Sequence, residues 1–302
     1  MPKLRQFEYL VALSQELHFR RAAERVNITQ PTLSSQIQEL ERALKAPLVE
    51  RSATSVTLTP LGCEVVERAK HVLSGVQDIV DIAAASQHGY KGSVRLGVPP
   101  TIGPYLLPHI VAELHLTYPN LKLYVQEGKS IELQAELQAG SFDIVVSPLP
   151  IKHSDLEVVK LFREPLQVVA APDHPLASKE YIERHDLAGQ KVLVIEKGHH
   201  LHDQVAQLCE DFDAILLRDY EGTSLDTLRS MVGIGVGLAF LPALYVQSGI
   251  ENREDISVLD LRDSNLYRQI GLTWRRRSVH AAFYKEIADL IKETAENKLH
   301  LS

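Results

Sequence analysis

Apolar residues recur at spacings of three and four from the start of the chain. Leu4, Phe7 and Val11 predict an amphipathic helix from about Leu4 to Glu16. Phe19, Ala22, Ala23 and Val26 form a narrower stripe, whose two alanines let another helix approach closely. Asn27 suits the left-handed residue that ends such a helix. A third helix begins at Thr29-Gln30-Pro31-Thr32, with Thr29 as N-cap and Pro31 in the first turn, where a missing N–H costs nothing. Leu33, Ile37, Leu40 and Leu44 make its buried stripe. Thr32, Ser35, Gln36 and Glu39 are left opposite, a polar face with hydroxyls and amides suited to base edges and phosphates. Residues 47–51 and 56–59 then read as two short strands about a polar turn, the shape of a wing, with Arg51 placed to reach phosphate or minor groove.

Thr59-Pro60 caps a longer helix. Along it Val65, Ala69, Val72, Val76, Ile79 and Ala83 alternate spacings of four and three, a heptad seam that either pairs with a second copy or packs on its own domain. Gln87-His88-Gly89-Tyr90-Lys91-Gly92 breaks that helix. Beyond it strands alternate with helices: a strand at Val94, Leu96 and Val98, a helix over 102–116, a strand over 121–125, a helix over 131–138 and a buried strand over 142–146. This order predicts a mostly parallel sheet covered on both faces. A second unit runs from about 166 to 266, and a strand over 270–274 with a helix from 279 returns to the first half. Two lobes joined by crossing strands make a hinge and a cleft.

Composition narrows the classes. At 302 residues, 45% apolar and 24% charged, the chain suits a soluble globular protein of two or more domains. No stretch approaches the run of about 18 apolar residues that a membrane helix needs. The N-terminus lacks the apolar region of a signal peptide, and the two cysteines, Cys63 and Cys209, lie far apart, so a cytoplasmic location is expected. Residues 1–60 carry eight Lys/Arg against six Asp/Glu, a balance of +2 within a chain of −7, so the remainder is −9. Charge permits a nucleic-acid partner without establishing one. Gly233-Ile234-Gly235-Val236-Gly237 follows a helix and lacks dinucleotide-binding spacing, and no nucleophile elbow or paired-carboxylate signature is present, so an enzyme is not expected.

Periodicity over the first sixty residues is met equally by a plain three-helix packing module. The residues themselves say more. Phe19-Arg20-Arg21-Ala22-Ala23-Glu24-Arg25-Val26, Thr29-Gln30-Pro31-Thr32-Leu33-Ser34, Leu48-Val49-Glu50-Arg51 and Leu58-Thr59-Pro60-Leu61-Gly62 resemble, in order and spacing, the DNA-binding domain of LysR-type transcriptional regulators. The resemblance implies an α/β architecture: a winged helix-turn-helix over 1–60, a linker helix over 61–90 that pairs two copies, and a two-lobed sensing domain over 91–302 like the periplasmic binding proteins. Lobe I would take 91–163 and 268–302, and lobe II 164–267. DNA contacts fall on Thr29, Gln30, Pro31, Thr32, Ser34, Ser35, Gln36 and Arg51. Many family members carry Arg where this chain has Ser35.

The sensing domain is similar to the peroxide-sensing OxyR branch. Gly97-Val98-Pro99-Pro100-Thr101-Ile102-Gly103-Pro104-Tyr105-Leu106-Leu107-Pro108, Glu196-Lys197-Gly198-His199-His200-Leu201-His202-Asp203-Gln204 and Thr223-Ser224-Leu225-Asp226-Thr227-Leu228-Arg229 carry the likeness. In that branch a peroxide-reactive cysteine stands nine residues before a resolving cysteine. Counting back nine from Cys209 lands on His200, and an imidazole forms neither sulfenic acid nor disulfide. The branch also usually has Arg where this chain has His202.

Hydroxyls at Thr101, Ser130 and Thr223-Ser224 head helices after strand-like runs, where each is a plain N-cap or an effector ligand. His199, His200, His202, Asp203 and Cys209 leave a metal effector open beside a small-molecule one. No cofactor is implied. The implied partners are double-stranded promoter DNA, further copies of the chain as homodimer or homotetramer, RNA polymerase and a small-molecule effector; no membrane is implied.

Overall fold

The computed structural model describes residues 1–51, 56–88, 92–151, 153–222, 224–248, 255–262 and 265–301, and within them every side chain but those at 51, 77–78, 81–88 and 219–221. It forms two compact units, Met1–Gly89 with Gln138–Ser141, and Tyr90–Leu137 with Phe142–Ser302.

The first unit opens with α1 (Leu4–Glu16), α2 (Phe19–Arg25) and α3 (Gln30–Leu44). Leu10, Leu13, Ala22, Ala23, Leu33, Ile37 and Leu40 close on one another as its core, because each helix offers one apolar stripe. Asn27 takes the left-handed conformation (φ 56°), and the Thr29 hydroxyl accepts the Thr32 N–H at the start of α3. Leu44, expected in the buried stripe, is 37% exposed, because α3 ends there and its last turn passes beyond the core. It lines a groove of about 210 Å³ with Phe7, Leu61, Val65, Ala69 and Val72.

Strands β1 (Val49–Arg51) and β2 (Val56–Leu58) pair antiparallel as a wing, Val49 opposite Leu58 and Arg51 opposite Val56. Thr59 then ties the wing to α4 (Pro60–His88): its hydroxyl donates to the Pro47 carbonyl and accepts the Gly62 N–H, both at 2.9 Å. A Cβ on Gly62 would lie 2.1 Å from the Leu48 carbonyl oxygen, so the helix can start this close to β1 only with glycine there. With 29 residues, α4 is about 44 Å long. Its seam divides in the middle. Ala69 is buried within the unit, while Val72 (49%), Val76 and Ile79 (66%) are exposed.

The second unit continues with β3 (Ser93–Val98), α5 (Gly103–Thr117), β4 (Lys122–Glu127), α6 (Ser130–Gln138), β5 (Ile144–Pro148) and β6 (Leu156–Ala170). Then come β7 (Lys191–Ile195), α7 (His200–Asp211), β8 (Ile215–Gly222), α8 (Leu225–Gly233), β9 (Leu238–Pro242), α9 (Ala243–Gln247), β10 (Ser257–Leu259), β11 (Tyr267–Arg275) and α10 (Ala281–Leu299). The strands form one sheet in the order β4-β3-β5-β11-β6-β9-β7-β8, with β10 on β6.

The sheet is mixed, not mostly parallel. β3 pairs parallel with β4 and β5, and β7 with β8 and β9, but β11 is antiparallel to β5 and β6, and β6 to β9. The reason is topological. β6 carries the chain from one half to the other and β11 brings it back, so neighbouring crossing strands run in opposite directions. Each half has its own core. Val94, Leu96, Ile110, Leu272, Trp274 and α10 residues such as Tyr284 and Ile291 fill one. Val168, Val194, Leu201, Val205, Cys209 and Phe240 fill the other.

Candidate DNA interface and sensing site

The polar face of α3 is a short surface at its N-terminus. Thr29, Gln30, Pro31, Thr32 and Ser35 are exposed, and Ser34 and Gln36 are half-buried. The Thr29 and Thr32 hydroxyls share a hydrogen bond at 2.8 Å, so the capping interaction also fixes the first polar turn. The free N–H groups of that turn and the helix dipole add a positive end suited to phosphate. Arg51 ends β1, and its side chain falls outside the described residues. Flanking cations on α2 are tethered to acids: Arg20 to Glu24 at 3.1 Å and Arg25 to Glu16 at 3.0 Å.

Of the candidate sensing residues, Thr101 and His200 lie at the crossing of β6 and β11. Arg268 of β11 sits directly opposite Glu164 of β6, and both side chains are wholly buried (0%). Arg268 Nε donates to Glu164 Oε2 at 2.6 Å. Its two terminal nitrogens donate to Thr101, one to the hydroxyl at 3.0 Å and one to the carbonyl at 2.7 Å. Glu164 Oε1 accepts the Leu244 N–H at 3.0 Å. One ion pair therefore joins the turn before α5, both crossing strands and the start of α9. Its charges are satisfied by four hydrogen bonds, which a buried pair requires. Thr101 is thus a partner of Arg268 and not an open cap hydroxyl.

His200, the first residue of α7, lies near this pair. Its basicity is lowered, first by burial and then by the Arg268 charge, against a smaller opposing pull from Asp203 and a hydrogen bond to the backbone of Leu149. His199, the N-cap of α7, is almost fully buried, and burial lowers its basicity as well. Its Nε2 stands 3.8 Å from Glu196, which in turn meets Lys129 at 3.2 Å. Lys129 precedes Ser130, the buried first residue of α6, so Ser130 and His199 share one neighbourhood while Thr101 and His200 share the other. The Nδ1 atoms of both histidines are buried without a hydrogen bond to any described residue. His202 Nδ1 pairs with the exposed Asp203 at 3.1 Å. Ser224 is a plain N-cap, accepting the Thr227 N–H at 3.2 Å, and Thr223 lies outside the described residues.

Cys209 is not part of this cluster. It is buried in the second core, and burial, helped by Glu210, pushes its thiol up to about 11, far from thiolate at neutral pH. It shares α7 with His200. Nine residues of helix separate the two by about 13 Å and turn them to opposite faces. A disulfide needs Cα atoms within about 7 Å, so no pairing could span these positions while α7 stands. The metal alternative loses its geometric basis too: among the described residues no three His, Cys, Asp or Glu side chains gather as a metal site. No helix among them is long and apolar enough to cross a membrane.

Sequence reading missed Arg268, Glu164, Lys129 and Glu196. Each of the first two stands inside a strand, but beside another polar side chain, Gln269 next to Arg268 and Arg163 next to Glu164, so neither is conspicuous in the sequence. The register that makes them partners, across 104 positions, is not visible in sequence.

Comparison with known proteins agrees with this arrangement. Residues 4–63 match the family described as bacterial regulatory helix-turn-helix protein, lysR family, and residues 87–296 match the LysR substrate binding domain. The chain is 39% identical over 290 residues to the DNA-binding transcriptional dual regulator OxyR of Escherichia coli K12, covering 96% of this chain and 94% of that one. It is 33% identical over 297 residues to the hydrogen peroxide-inducible genes activator of Haemophilus influenzae, covering 98% of each. Among solved structures, a full-length OxyR variant from Pseudomonas aeruginosa superposes with a TM-score of 0.79 at 34% identity, covering 96% of this chain and 94% of that one. With the winged head, the linker helix and the two-half α/β unit all in place, this chain belongs to the LysR family of DNA-binding transcriptional regulators, as an OxyR-like member.

Proposed function

We propose that this regulator reads promoter DNA as a dimer, or a pair of dimers, and that its signal does not pass through a cysteine disulfide. The observation that carries the second clause is the pairing of His200 with a buried, unreactive Cys209 on one helix. Thr29, Gln30, Pro31, Thr32, Ser34, Ser35 and Gln36 would meet base edges and phosphates from the major groove, and Arg51 would meet phosphate or the minor groove. The exposed Val72, Val76 and Ile79 of α4 suit the same helix of a second copy, which sets two heads on two half-sites. The signal would be a small effector near Thr101, Ser130, His199, His200 and His202, changing the relation of the two halves through the Arg268–Glu164 pair and thereby the DNA bend. A cytoplasmic site of action and contact with RNA polymerase follow from that role.

Gel-shift titration against the duplex upstream of the gene itself, over a salt series, tests the DNA half. Arg51→Ala should weaken binding to all sequences and make the salt dependence shallower. Loss confined to a few sequences would contradict the phosphate role, and no binding even at low salt would contradict the whole reading.

A further inference from the structure

On the first unit, Gln6 of α1 is a buried polar side chain, 3% exposed, whose amide oxygen closes the capping box of α1 and whose N–H groups the cap leaves unused. Its Oε1 accepts the Lys3 N–H at 2.9 Å. Its Nε2 donates to Gln36 Oε1 and to Glu39 Oε2, each at 3.3 Å. Gln36 Nε2 donates in turn to the same Glu39 oxygen at 3.2 Å. The chain of bonds has only one sense. Turning the Gln6 amide over would aim its N–H groups at the Lys3 N–H and its oxygen at a carboxylate. With Gln6 fixed, Gln36 must place its oxygen toward Gln6 and its nitrogen toward Glu39.

Gln36 is half-buried on the polar face of α3, one turn beyond Thr32. The network takes one lone pair and one N–H from its amide. One acceptor and one donor remain uncommitted to any described residue, and their order along the helix is set. A glutamine amide presenting an oxygen and an N–H in fixed order is the pattern that meets adenine through its N6–H and N7. An amide free to flip would meet other edges nearly as well. Linked bonds also polarise one another, which strengthens the preference for the held orientation.

We propose that Gln6 is a positioning residue, which through Glu39 holds the Gln36 amide in one orientation and so makes α3 select adenine at the base pair that Gln36 meets. The proposal rests on the reading of α3 as the helix that faces DNA. It assigns a sequence-selecting role to a residue of α1 that touches no DNA itself.

The test is a binding selection with the full chain and duplex DNA randomised across one half-site, scored with the melting temperature and the affinity for a non-specific duplex. Gln36→Ala should lose roughly tenfold discrimination at one base pair. Gln6→Met, of similar size, should lose most of the same discrimination at that same base pair, with non-specific affinity held and only the small fall in melting temperature that losing the Lys3 cap bond brings. Glu39→Ala, at a half-buried position, should lose the same discrimination while its non-specific affinity rises with the removed negative charge, and it serves if the Gln6 variant does not fold. If Gln36→Ala relaxes selection but neither of the other variants does, positioning is wrong and the reading of α3 stands. If Gln36→Ala leaves selection unchanged, both fall. Equal weakening on all sequences with a lowered melting temperature in Gln6→Met and Glu39→Ala would show a purely structural role and overturn the proposal.

Discussion

Glu164→Gln asks how much the crossing of β6 and β11 depends on its ion pair. The change keeps the shape of the side chain and its acceptor for the Leu244 N–H, but leaves the Arg268 guanidinium buried beside a neutral amide. Removing one member of a buried pair costs about 3–5 kcal/mol, because the remaining charge loses its counterion without regaining water. The 2.6 Å bond between wholly buried groups, with only Thr101 left to hold Arg268, places this case toward the upper end of that range. Urea unfolding of the full chain, followed by the fluorescence of the single tryptophan, Trp274, reports on the right unit, since Trp274 is buried in the core that β11 helps to form. With an m-value of about 2–3 kcal/mol per molar, the midpoint should fall by roughly 1.3–2.5 M. The paired variant Glu164→Leu with Arg268→Met removes both charges and should recover most of the loss. A midpoint within about 0.3 M of the parent for Glu164→Gln would refute the argument that this pair is desolvated and mutually dependent.

Other consequences follow from particular contacts. Gly62→Ala should destabilise the first unit by about 1–3 kcal/mol, read as a lowered melting temperature, because its Cβ would meet the Leu48 carbonyl; an unchanged melting point would mean that wing and α4 can separate at no cost. Both His199 and His200 are less basic in the folded chain than in the unfolded one, so the unfolded state binds more protons below the ordinary histidine range. Stability should therefore be full above about pH 6.5 and fall as the pH drops from there toward the lowered folded values, an effect that His200→Gln should reduce. Thiol titration should count one reactive cysteine in the native chain, the exposed Cys63, and two in urea; two in the native chain would contradict the burial of Cys209.

The head of the molecule was legible because its information is local. The three-and-four spacing, Thr29 as a cap and Asn27 as a left-handed stop each depend on residues within one or two turns. The sensing half was legible only in part. The first two thirds of β6, 156–165, escaped notice because Glu157, Lys160, Arg163 and Glu164 interrupt its apolar alternation, and three of these are tolerated at exposed or half-buried positions while the fourth is paid for by Arg268. Without β6 the return strand has no partner, and the sheet reads as parallel. For the same reason Thr101 looked like an open hydroxyl at a helix start, although Arg268, 167 residues on, already holds it. The place of His200 on the sequence, nine residues before Cys209, was visible at once, and a lone thiol there suggests a buried small hydrophobe; that both stand on one unbroken helix was not visible.

The central claim is that an OxyR-like fold here reports something other than thiol oxidation. Footprinting of the chain on its operator, with and without hydrogen peroxide, in the parent and in Cys209→Ala, tests it most directly. The expected result is four identical footprints. A footprint that peroxide shifts in the parent and not in Cys209→Ala would contradict the account.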